Sequence, residues 1–62
     1  MDFYQAVEAF KEKYGSYSDT ARALGWTPRK YRHLRKRYAD GARSDSFRLL
    51  VELAKREFGE EA

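Results

Sequence analysis

Residues 17–38 read YSDTARALGWTPRKYRHLRKRY and carry the strongest structural signals in the chain. Ala21 is small enough to lie where two helices cross, and Gly25 can adopt the positive φ that ends a helix. Thr27 offers a side-chain N-cap, and Pro28 suits the first helical position after it. This stretch therefore predicts two helices joined by a tight turn, the second with a sharply defined start.

The second predicted helix is strongly basic, with six Lys or Arg residues and no acid between positions 27 and 38. Tyr31, Leu34 and Tyr38 recur at the spacing of one helical face and are expected to point inward. The opposite face gathers Arg29, Arg32, His33 and Lys36. A helix with one cationic face is what the major groove of DNA accepts.

Length and composition exclude several classes of protein. A chain of 62 residues makes one small domain, and its ten aromatic residues supply most of the surface it can bury. Cysteine is absent and there is one histidine, so we expect no disulfide, no metal site and no cofactor. No group of residues suggests an enzyme or a small-molecule site, because no nucleophile or orienting carboxylate is expected near His33 in the fold.

The charge of the chain is unevenly distributed. The net charge is +3, so the six cations of the basic helix leave a net charge of −3 on the other residues. Such asymmetry predicts a polyanionic partner at one face. The mean hydropathy is −0.93 and no apolar run is long, so we expect no membrane segment or signal peptide. We expect the protein in the cytoplasm, associated with the nucleoid. A phage-encoded protein would instead be in the virion or in the host cytoplasm.

The whole chain is predicted to be one all-α domain, residues 1–62, of four short helices at about 2–14, 18–24, 28–39 and 45–58. Asp2 and Gln5 have the spacing of a capping box, and Ser16 or Ser18 is expected to begin the second helix. The four glycines fall at predicted helix ends. The predicted core face of the last helix consists of Phe47, Leu50, Val51, Ala54 and Phe58. Residues 60–62 are expected to fray.

Leu49 and Leu53 fall on nearly the opposite side of the last helix from its predicted core face. They are candidates for a dimer seam or another partner surface. They are equally compatible with covering the basic helix or the loop after it in the same chain.

Residues 15–38, GSYSDTARALGWTPRKYRHLRKRY, resemble the Fis-type helix-turn-helix over about a third of the chain. The resemblance implies a major-groove DNA binder that is commonly dimeric. Carried over by position, it implies that Thr27, Pro28, Arg29, Arg32, His33 and Lys36 face DNA. Trp26, Pro28 and Leu34 depart from the usual pattern, and the position of Leu34 leaves the register of Arg35 open.

Roles within the basic helix follow from position. Arg29, in the first turn, is placed to contact guanine. His33, one turn later, is placed to contact a base edge or a phosphate. Arg35 and Arg37, with Arg43 after the helix, extend the phosphate-contacting group begun by Arg32 and Lys36. The complete predicted DNA-binding set is Thr27, Pro28, Arg29, Arg32, His33, Arg35, Lys36 and Arg37.

The sequence thus predicts a sequence-specific binder of double-stranded DNA, in the setting of a bacterial or phage transcription regulator. The DNA-binding domain of a phage terminase small subunit or of a recombinase is an alternative. A protein-interaction module that docks through Leu49 and Leu53, with the basic helix against an acidic protein, is a second class. RNA binding is a weaker third, because the aromatic residues are expected in the core.

Overall fold

The computed structural model describes residues 1–59, which form four α-helices and contain no strand. The helices are α1 (Phe3–Tyr14), α2 (Tyr17–Ala23), α3 (Pro28–Ala39) and α4 (Asp45–Phe58). The all-α class predicted from the sequence is confirmed. Each helix begins and ends within one residue of the position inferred from caps and glycines. The tail expected to fray, residues 60–62, lies outside the described residues.

Side-chain hydrogen bonds set the start of the first two helices. The Asp2 carboxylate accepts from the Gln5 N–H at 2.8 Å, and the Gln5 side-chain oxygen accepts from the Asp2 N–H at the same distance. These two bonds satisfy donors that a helix start leaves free, and they confirm the capping box. Ser16 caps α2 by accepting from the Asp19 N–H at 3.0 Å. Ser16 rather than Ser18 is therefore the N-cap.

The turn between α2 and α3 is short and internally bonded. Gly25 has φ of +85°, a conformation that a side chain would strain. The Trp26 N–H donates to the Ala21 carbonyl at 2.8 Å, which folds the chain back against the end of α2. Ala21 is fully buried. The small side chain and the glycine turn together let α3 lie directly against α2.

The core lies between α1 and the other helices. α1 packs on α2 and on α4, while α2 packs on α3. The C-terminal half of α3 is held by an aromatic group, in which the Tyr38 ring stacks on Phe3 at 4.3 Å and meets Phe47 edge-on at 5.2 Å. The buried apolar residues are Phe3, Ala6, Val7, Phe10, Ala21, Tyr31, Phe47, Leu50 and Ala54.

Phe58 was predicted to belong to the core face of α4, and this prediction is wrong. Its side chain is 39% exposed, with one edge of the ring against Phe10 at a centroid distance of 5.2 Å. Phe58 is the last residue of α4, so within residues 1–59 no further element covers its outer side. Helical spacing identified the correct face of α4 but not how far the core extends along it.

Tyr31 is the central buried residue of α3 and is 1% exposed. Its hydroxyl is buried and has no hydrogen-bond partner among the described residues. Burial raises the pKa of Tyr31 to about 12, because a phenolate would be poorly solvated there. The nearby Arg35 opposes this shift without cancelling it. At Tyr31 the packing of α3 therefore leaves a polar atom whose loss of hydration is not compensated.

Tyr31→Phe should therefore stabilise the protein by about 1 kcal/mol near neutral pH, since it removes a buried hydroxyl without a partner. In the wild type, Tyr31 ionises at a lower pH in the unfolded chain, near pH 10, than in the folded protein, where its pKa is about 12. Stability should fall between about pH 10 and 12, by about 2 kcal/mol for this residue. Urea unfolding of both proteins across this range measures the two effects. The exposed Tyr4→Phe is the control, and a variant less stable than wild type at pH 7 would contradict the assignment.

Candidate nucleic-acid interface

The first turn of α3 is fixed by its cap. The Thr27 hydroxyl accepts from the Lys30 N–H at 3.1 Å, and Pro28 occupies the first helical position. Both features were predicted from the sequence and are confirmed. Because the cap also adjoins the bonded turn after α2, Arg29 projects from a rigidly placed helix start.

The solvent side of α3 is a continuous cationic face. Tyr31 is buried, and Leu34 and Tyr38 are partly buried, so the opposite side of the helix faces water. Within residues 1–59 no ion pair joins a cation of this helix to a carboxylate. We call this surface the α3 face, and its exposed members are Arg29, Lys30, Arg32, His33, Lys36 and Arg37.

Arg35 does not belong to the α3 face. It is partly buried, and its guanidinium lies over the ring of Tyr17 at 3.9 Å. Its Nε atom is buried without a hydrogen-bond partner in residues 1–59. Four residues separate Arg35 from Tyr31, so the helical period places the two side chains only about 40° apart around the helix axis. Arg35 therefore starts from the inward side of α3. The geometry thus departs from the outward phosphate contact that we predicted for this residue.

Tyr17 connects the basic helix to an acid on α1. Its hydroxyl donates to the Glu8 carboxylate at 2.5 Å, and its ring receives Arg35 on one face. The hydrogen bond to Glu8, followed by burial, raises the pKa of Tyr17. The Lys11 ammonium also lies 5.2 Å from the ring centroid. The ring and hydroxyl of Tyr17 are therefore held in place by three charged side chains.

A notch of about 340 Å³ opens beside this group, between α1 and α3. Tyr4, Val7 and Ala39 supply its apolar part. Its polar lining consists of Glu8, Tyr17, Arg32, Arg35 and Lys36. Three of these five side chains are cationic, one is a hydroxyl and one is an acid. The notch thus borders the α3 face and offers donors for an anion, with Glu8 as the opposing charge.

The contacts that Tyr17 and Glu8 make beside this notch were not predicted from the sequence. Both pairings, Glu8 with Tyr17 and Tyr17 with Arg35, join residues from different helices. No local periodicity reports such contacts, although an isolated Tyr at the first position of a short helix is a signal worth noting.

Leu49 and Leu53 do not present one uniform apolar surface. Leu49 is 51% exposed, whereas Leu53 is partly buried and packs against the core. Arg43 is also engaged within the chain, with its guanidinium 3.8 Å from the Tyr38 ring centroid and donating to the Tyr38 and Ala42 carbonyls. Leu49 is therefore the more accessible of the two predicted partner residues.

In residues 1–59 no cluster of three or more His, Asp or Glu side chains has the arrangement of a metal site. No helix in this part of the chain is long and apolar enough to cross a membrane.

Comparisons with protein families, with characterised proteins and with solved structures find no match to this chain. The class of protein is therefore defined by its own architecture. It is a small all-α domain in which one capped helix turns to solvent a cationic face that has no carboxylate partner within residues 1–59.

Proposed function

We propose that this chain binds double-stranded DNA by placing α3 in the major groove. The observation that carries the proposal is the α3 face, which has five Lys or Arg side chains and one His, all exposed, and no carboxylate partner within residues 1–59. An ordinary solvated helix gains from acid and base residues four positions apart, and α3 has none of these pairs. A polyanion would supply the missing counter-charge.

The dimensions and the cap support a groove-binding role. A helix with its side chains is about 10–12 Å across, and the major groove is about 12 Å wide. In helix-turn-helix proteins the N-terminal residues of the second helix contact base edges. Here Thr27, Pro28 and Arg29 hold that position. We assign guanine recognition to Arg29, and a base edge or phosphate to His33 on the next turn.

Phosphate contacts supply the affinity in this proposal. Arg32, Lys36 and Arg37 are exposed further along α3, where they would meet the DNA backbone on either side of the groove. We place one backbone phosphate at the notch, against the side chains of Arg32 and Lys36. The hydroxyl of Tyr17 borders this position, with its hydrogen bond directed to Glu8. Arg35 then contributes by holding the Tyr17 ring in place.

The biological setting that we propose is a bacterial or phage transcription regulator. The same interface would serve the DNA-binding domain of a phage terminase small subunit or of a recombinase. A single short recognition helix reads few base pairs, so two copies on adjacent half-sites would increase both affinity and selectivity.

Arg29→Ala and Lys36→Ala should affect DNA binding in different ways. Loss of a base contact at Arg29 should relax selection at one position of the preferred site, with a cost there of about 1–3 kcal/mol. Loss of a phosphate contact at Lys36 should weaken binding to all sequences alike and reduce the salt slope by about one. Site selection from a random duplex pool, followed by anisotropy titrations at several salt concentrations, measures both effects. Identical behaviour of the two variants would refute these roles.

Glu8→Gln should strengthen duplex binding by about threefold at low salt, because it removes a negative charge next to the phosphate-binding notch. Glu12→Gln is the matched control, since it makes the same charge change on α1 at an exposed residue that does not line the notch. Anisotropy titrations with one labelled duplex compare the two variants. Equal gains would mean that only net charge matters, and that no phosphate occupies the notch.

A further inference from the structure

A second depression of about 240 Å³ lies between α3 and α4. We call it the α3–α4 groove. Its floor is formed by Trp26, Leu34 and Leu49, which come from the turn, from α3 and from α4. Leu49 is among the few large apolar side chains exposed in residues 1–59. The groove therefore combines an apolar floor with direct access from solvent.

The rim of the groove is cationic. Lys30, His33 and Arg37 line its α3 side, Ser46 lines its α4 side, and no carboxylate belongs to the lining. The nearby acids of α4, Asp45 and Glu52, line an adjoining depression that shares Ser46 and Leu49 with the groove, so the cations lie on the α3 side and the acids lie beyond Leu49. Electrostatic attraction therefore favours an acidic ligand, while the floor favours an apolar one.

We infer that the α3–α4 groove binds an acidic segment of a partner protein, which inserts one bulky apolar side chain over Leu49 and sets carboxylates against Lys30 and Arg37. A DNA phosphate would satisfy the rim but would gain nothing from covering Trp26, Leu34 and Leu49. An uncharged apolar segment would satisfy the floor but would leave the rim unpaired. Only a ligand with both properties uses all sides of the groove, whose volume suits a single side chain.

This inference has a regulatory consequence that rests on the proposed function. Lys30, His33 and Arg37 belong both to the groove rim and to the α3 face. A segment bound in the groove would therefore place its carboxylates beside the path of DNA. The partner and the duplex should exclude each other, which would make the acidic protein an inhibitor of DNA binding.

Trp26 provides a direct readout of groove occupancy, because it is the only tryptophan in the chain and forms part of the floor. The probe is a short synthetic peptide of glutamates around one central leucine, without aromatic residues. One comparison peptide has glutamine in place of every glutamate, and another has serine in place of the leucine. Each is titrated into the full chain without DNA, while Trp26 emission is recorded at low and moderate salt.

Two substitutions on α4 test the location of binding. Leu49→Glu removes part of the floor and adds an acid, and it should weaken binding of the leucine peptide by about tenfold or more. Arg48→Glu is the matched control, because Arg48 is the exposed neighbour that does not line the groove. Arg48→Glu lowers the net charge by two, whereas Leu49→Glu lowers it by one. If the groove is the binding site, Arg48→Glu should nevertheless weaken binding of the leucine peptide less. Arg37→Gln tests the rim independently and leaves the apolar floor intact.

The inference is supported if the Trp26 emission responds to the leucine peptide and both comparison peptides bind at least about tenfold more weakly, with Leu49→Glu more harmful than Arg48→Glu. It is overturned if no peptide binds, if the serine peptide binds equally well, or if Arg48→Glu is the more harmful variant. Far-UV circular dichroism confirms that each variant remains helical, and Arg37→Gln decides the question if Leu49→Glu does not fold.

A labelled duplex titrated into the same proteins separates this inference from the proposed function. If the peptide binds and no duplex does, the inference about the groove is supported and the DNA-binding proposal is wrong. If the duplex binds and the peptide does not, the DNA-binding proposal is supported and the inference about the groove is overturned. A duplex affinity reduced by Leu49→Glu more than by Arg48→Glu, without peptide binding, would assign the groove to the DNA interface and overturn the inference.

Discussion

Burial of Tyr31 determines which side of α3 reaches solvent. A helix with six Lys or Arg residues among its twelve positions has only a narrow apolar stripe with which to join a core. Tyr31 fills the centre of that stripe, between the bonded turn at one end and the stack of Tyr38 on Phe3 at the other. The position of every other α3 side chain follows from this one contact and from the period of the helix.

The consequence for function is a separation of charge within a small domain. The cations concentrate on α3, which has no acid, whereas α1 carries Glu8 and Glu12 together with Lys11 and Lys13. Tyr17 joins the two sides, since its hydroxyl bonds to Glu8 and its ring carries Arg35. Through Tyr17, the negative charge of Glu8 lowers the positive potential at the edge of the α3 face without a direct ion pair to α3. The edge of the α3 face therefore depends on α1 as well as on the two helices around the turn.

The features that the sequence predicted well are those that depend on neighbouring residues. The Asp2 capping box, the Thr27 cap and the Gly25 turn each involve residues no more than five positions apart, so local spacing is enough to predict them. The outward position of Arg29, Arg32, His33 and Lys36 follows from a single helical period. Fold class and the cationic face were therefore predictable.

The features that the sequence did not predict depend on how separate helices meet. Arg35 turns toward Tyr17 because α2 begins next to that part of α3, and Phe58 stays exposed because α4 ends at the edge of the core. The α3–α4 groove combines residues 23 positions apart, from Trp26 to Leu49. Helical periodicity assigns a face to each helix, but it carries no information about the distance between two faces.

We propose that α3 is a DNA-reading helix, and amide NMR shifts during titration with a random-sequence duplex test this proposal most directly. At low salt the shifts should concentrate on residues 27–37, extend to Tyr17 at the notch, and decline as salt rises because phosphate contacts release counterions. If these amides do not move, or if the changes are confined to α4, the account of α3 as a nucleic-acid interface is wrong.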